Sequence, residues 1–146
     1  MRKIFSRNIL IYWLYCVALI HVTGGILLPW IGNIDLLENY HRSIEAGFWS
    51  GDVPTGARKL HVWWLSLFGP TIQTLGIWMF ALIYIGEKYR ISFAWLAILI
   101  GFVVWAPQDI LISLRVNAFK HVWLDLVVLI VVLPPLVRLW LLDKNN

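Results

Sequence analysis

The chain has 146 residues, 60% of them hydrophobic and 14% charged, with a formal net charge of +4. A soluble domain of this length buries about 70% of the surface of its unfolded chain and cannot hide so apolar a composition, so a soluble globular protein is excluded. Nucleic-acid binding is set aside as well, because the basic residues gather at the ends of apolar runs, where they act as topology signals.

Four runs reach the roughly 20 apolar residues that a spanning helix needs: about 8–31, 60–86, 91–114 and 119–142. The expected fold is therefore all-α, a polytopic membrane protein built as one four-transmembrane-helix bundle over residues 1–146. The first run follows Arg2, Lys3 and Arg7, a flank like that of a secretory signal. Its apolar stretch is too long for one, and "HVTGG" is a poor cleavage site, so a retained helix is expected. The lone Cys16 in this run allows no intrachain disulfide.

The connector 32–59 has its own pattern. In "NIDLLENYHRSIEAGFW", Leu37, Tyr40, Ile44 and Phe48 recur at helical spacing, with Glu38, His41, Arg42 and Glu45 on the other face and Asn33 as an N-cap. An amphipathic helix is expected there, lying in the outer interface or lidding the bundle. "SGDVPTG" then supplies a turn.

Arg2, Lys3, Arg7, Lys88, Arg90, Arg138 and Lys144 fall on one side of a four-span chain. The positive-inside rule makes that side the cytoplasm and puts both termini there, as in the cytoplasmic membrane of a bacterium. Trp13, Trp95 and Trp140 toward that side, and Trp30, Trp63, Trp64 and Trp123 toward the other, read as interfacial belts. Small residues offer packing faces: Gly24 and Gly25, Gly69 and Gly76, and Ala97 with Gly101.

Ionisable groups inside a span cost on the order of 2.5–3.5 kcal/mol at the bilayer centre, so each needs a partner or a task. At about 1.5 Å of rise per residue, His21 and Gln73 fall near the midplane, and Asp109 and Asp125 between it and the outer face. The cytoplasmic half reads as apolar, with residues such as Ile98 and Val131, so the polarity is expected to be one-sided. His41 and His61 read as outer-surface residues. Pro70 and Pro107 loosen spans two and three near their outer ends, and two bent helices facing each other would open a pocket.

The candidate ligand-binding residues are His21, Gln73, Trp105, Gln108, Asp109, His121 and Asp125. They describe an outward-facing polar cluster with aromatic walls, suited to a lipid-like or other amphiphilic small molecule. His121 and Asp125, four apart, share a helix face and can touch. The same spacing furnishes two metal ligands, for which only His21, Asp109 or a connector residue completes the set; no metal or other cofactor is assigned. Haem needs axial histidines at facing depths, and His21 has none at its level.

Two other readings compete. The same groups would serve a membrane enzyme doing acid/base chemistry, although no catalytic motif is present and no catalytic residue is assigned. They would also serve as interhelical glue in a non-catalytic accessory subunit, whose partner is a larger membrane protein. In span count and connector length alone, the outline resembles the DoxX-like and sterol-isomerase-like four-helix proteins, and no activity follows from that.

Overall fold

The computed structural model describes residues 6–144; Arg2 and Lys3 lie outside them. Four long helices, α1 (Arg7–Ile31), α3 (Ala57–Tyr89), α4 (Ser92–Arg115) and α5 (Phe119–Asp143), are each long and apolar enough to cross a membrane. Their bounds lie within about three residues of the apolar runs, because hydropathy ends where charge begins. Between α1 and α3, a single 3₁₀ turn (Asp35–Leu37) leads into the short helix α2 (Glu38–Phe48). The chain is a multi-pass membrane protein: side chains such as Ile20 at 66% exposure and Ile130 at 72% point away from the bundle along the spans, where only lipid accommodates them.

Helix α1 packs along α3 and α4 along α5, while α3 and α4 meet less closely. Apolar burial gives no net drive between helices in lipid, so close backbone approach and polar ties must supply it. The α1–α3 seam has the first of these. A Cβ on Gly25 would collide with the Gln73 backbone and stand 2.5 Å from the Gly69 carbonyl oxygen, one on Gly69 would meet the Pro29 ring at 2.8 Å, and one on Gly76 would meet Val22 at 2.7 Å. Gly24 and Gly101, by contrast, face open space. Ala97 and Gly101 border an open groove instead of a seam.

The apolar core, centred on Leu14, Ile83, Trp95, Phe102 and Leu136, occupies the half of the bundle away from α2. Trp95 is fully buried there and is no belt residue; its ring fills the space that a side chain on Gly86 would take.

That end also overturns the expectation of one-sided polarity. Asp143 accepts from Arg7 Nη2 at 2.8 Å and from Trp95 Nε1 at 3.0 Å, with Arg90 Nη1 at 3.4 Å. Arg7 Nη2 also donates to the Gly86 and Glu87 carbonyls, two of the four acceptors that every helix end leaves open. Tyr15 donates to Glu87 Oε2 at 2.8 Å. Asp143 reads in sequence as a terminal charge; folding buries it because α1, α3 and α4 all converge on the end of α5.

Five prolines sit inside the four helices, and the helices run on through them. Pro135 has no N–H for the carbonyl four residues earlier, and the indole N–H of Trp13 donates to that carbonyl, on Val131, at 3.0 Å. An α1 tryptophan thus satisfies one of the carbonyls that the prolines of α5 leave open.

Candidate functional site at the α2 end

Helix α2 lies across one end of the bundle. Arg58, the second residue of α3, grips Glu38 at 2.6 Å and Glu45 at 2.6 Å, and Lys120 Nζ donates to the Asn39 carbonyl at 2.6 Å. At Gly47 the helix comes so close to the Val116 carbonyl that any Cβ there collides with it. These ties turn the His41 and Glu45 edge of the polar face inward, where both are buried, whereas Arg42 and Phe48 stay exposed. The Arg58 guanidinium, joined by Arg42, holds the Glu38 carboxyl down at about 2, and Arg58 also lowers Glu45.

Two connected chains of polar groups lie beneath α2. His41 is 1% exposed, not a surface residue. Its Nε2 lies 2.7 Å from the Gly32 carbonyl and its Nδ1 lies 3.2 Å from His61 Nδ1. A carbonyl only accepts, so His41 carries its proton on Nε2. In the neutral ring Nδ1 then accepts, and His61 donates from its own Nδ1. The Tyr40 ring stands about 6 Å from His41, His61 and His121 alike.

The second chain runs from Tyr40 to α5 and α4. Tyr40 Oη is 3.0 Å from His121 Nδ1, and His121 Nε2 is 3.3 Å from Asp109 Oδ2. A carboxylate acceptor fixes the proton on Nε2, so Nδ1 accepts from the phenol. Burial, with the Asp109 and Asp125 carboxylates, pushes the Tyr40 phenol up to about 12, which keeps it an O–H donor. Asp125 Oδ1 lies 3.9 Å from His121 Nε2 on the same helix face. Its Oδ2 is the one buried side-chain polar atom without a hydrogen-bond partner among the described residues.

Of the seven residues singled out in the sequence, Asp109, His121 and Asp125 come together. His21 turns back to its own helix, with Nδ1 2.8 Å from the Val17 carbonyl, and stands edge-on to Phe102. The backbone of Gln73 forms part of the glycine seam. Gln108 donates to the Val104 carbonyl at 2.7 Å on the exposed side of α4. Trp105 meets Phe102 edge-on at 6.1 Å.

Trp105 also joins two surface hollows. An apolar groove of about 320 Å³ between α3 and α4 is lined by Leu75, Trp78, Met79, Ile98, Phe102 and Trp105, among others. A shallower depression of about 550 Å³ on α4 is lined by Trp105, Gln108, Asp109 and Ile112, among others. Both include Gly101.

Tyr40, His41 and His61 are the members that sequence reasoning did not place in the cluster. Tyr40 recurs with Leu37, Ile44 and Phe48 on the apolar stripe of α2, and no periodicity links a connector residue to α3 or α5. An isolated histidine at the start of a span, His61, was the one available sign. No family model, curated protein or solved structure matches the chain.

Proposed function

We propose that the protein binds an amphiphilic small molecule, its tail in the α3–α4 groove and its polar head at Asp109. The observation that carries this is the junction of the two hollows at Gly101 and Trp105. An apolar groove facing lipid thereby leads, one helical turn past Trp105, to a carboxylate backed by His121 and Tyr40. A mostly apolar site with a few convergent polar groups suits such a ligand.

The same reading sets the protein in the cytoplasmic membrane of a bacterium with both termini inside, on the evidence of Arg7, Lys88, Arg90, Arg138 and Lys144 at one end of the bundle. Helix α2 then lids the outer face, with Phe48 and, in the turn before the helix, Leu36 in the interface. A reporter fused after Asn146 that is active only in the cytoplasm checks the orientation, and an inactive, correctly expressed fusion sinks it.

The binding claim is tested with detergent-purified protein and a panel of twelve-carbon amphiphiles that differ in headgroup, read by thermal unfolding. Wild type is expected to be stabilised selectively by one head class. Asp109→Asn removes a charge-assisted contact and weakens that ligand by about tenfold or more. A variant that melts and binds like wild type across the panel overturns the assignment.

A further inference from the structure

We propose that Asp109, His121 and Asp125 bind a divalent transition-metal ion, best matched by zinc, with one coordination position open toward the depression lined by Trp105 and Gln108. His121 Nε2 stands 3.3 Å from Asp109 Oδ2 and 3.9 Å from Asp125 Oδ1. One donor atom from each of the three residues lies within 4.8 Å of the others. Donors at about 2.0–2.2 Å from a tetrahedral zinc are roughly 3.4 Å apart, so modest rotations of the two carboxylates close the set. An imidazole with two carboxylates is an ordinary zinc donor set, and three protein ligands leave a fourth place for water or a ligand.

The unpartnered, buried Oδ2 of Asp125 is a second observation in favour of a cation, separate from this spacing. The Asp125 side chain is 2% exposed, and a carboxylate oxygen does not stay buried without a partner or a cation unless something offsets the cost. Among the described residues neither aspartate has a Lys or Arg ion pair, and the single imidazole between them is shared. A divalent cation neutralises both carboxylates at once. The ion can enter, because Asp109 and His121 each keep 28% of their side-chain surface exposed.

Tyr40 supplies the supporting contact that a metal-bound imidazole requires. With Nε2 on the ion, the ring proton sits on Nδ1 and is donated to Tyr40 Oη, 3.0 Å away. The ion joins α4 to α5, and Tyr40 brings α2 to the same point. The site does not depend on what fills the α3–α4 groove.

The test uses tag-free protein in mild detergent, stripped with a chelator and titrated with zinc chloride by calorimetry and thermal unfolding. One zinc per chain is expected, raising Tm on the order of 5 °C at a hundredfold excess over Kd. Asp109→Asn and His121→Gln lose this binding, Tyr40→Phe weakens it about tenfold or more, and His21→Gln leaves it as in wild type. Asp125→Asn gives a signature that misfolding cannot imitate: zinc binding is lost while the metal-free Tm rises, since an unpartnered buried carboxylate is gone. Absence of zinc binding by wild type overturns the proposal, as does unchanged binding in Asp109→Asn and His121→Gln. A metal-free Tm that falls in Asp125→Asn also overturns it, by making Asp125 a structural partner of His121.

Discussion

Asp125 and Asp143 lie on the same helix and, being five turns apart at 3.6 residues per turn, on the same face of it. Both are buried, and their surroundings could hardly differ more. Asp143 accepts from Arg7, Arg90 and Trp95, whereas Asp125 has one oxygen near His121 and another with no partner. The first arrangement is that of a tie, and the second is the one we propose as a site. Asp143→Ala strands the Arg7 charge and the Trp95 N–H, and breaking a buried pair from one side costs about 3–5 kcal/mol. Thermal or denaturant unfolding in detergent should therefore show Asp143→Ala as strongly destabilised, with Asp143→Asn milder because it still accepts from Trp95. A variant as stable as wild type contradicts the reading of Asp143 as a tie. Asp125 was visible in the sequence as a charge in an apolar run with His121 four residues before it. Asp143 was not, because a charge at the last turn of a span looks solvated until the other helices are placed around it.

At the level of elements, α2 is the piece whose position decides whether the polar groups meet. It carries Tyr40 and His41 into the bundle end, and it is fastened mainly through Arg58 to Glu38 and Glu45. Both carboxyls have a folded pKa below the unfolded value, so their contribution is fully present above the unfolded pKa and is lost as pH falls through the folded one. Glu38 is held at about 2 and Glu45 is lowered in the same direction. The docking of α2 should thus hold at pH 5 and weaken between about pH 4.5 and 2. Spin labels at Ala46→Cys and Lys59→Cys, with Cys16 replaced by serine, report it as a broadened distance distribution at the acid end; a distribution unchanged at pH 2 contradicts this account. The helical period of α2 was legible in "LLENYHRSIEAGF", yet which face turns inward was not. An apolar stripe suggests its own burial, but the Arg58 clamp and the Gly47 contact with Val116 set the rotation instead. The close seam at Gly25, Gly69 and Gly76 was legible as residue type, whereas only the packing separates those glycines from Gly24 and Gly101.

For the whole molecule, the four spans were legible because length and hydropathy alone decide them, and lipid tolerates few other spanning structures. The distribution of polarity was not, since it depends on which helices meet. Polar groups occur at both ends: a tightly paired knot around Asp143 and a looser cluster around His121. The apolar core lies toward the first, and the groove between α3 and α4 leads to the second. We propose a division of labour in which one end holds the bundle and the other binds a ligand. It is tested most directly by mass spectrometry of the purified protein in wild type and in Gly101→Leu, since Gly101 faces open space at the meeting point of the two hollows and tolerates a side chain there. One amphiphile is expected to be retained per wild-type chain and lost from a Gly101→Leu chain of equal stability. The same bound molecule in both proteins, or a wild-type chain that carries none, would contradict it.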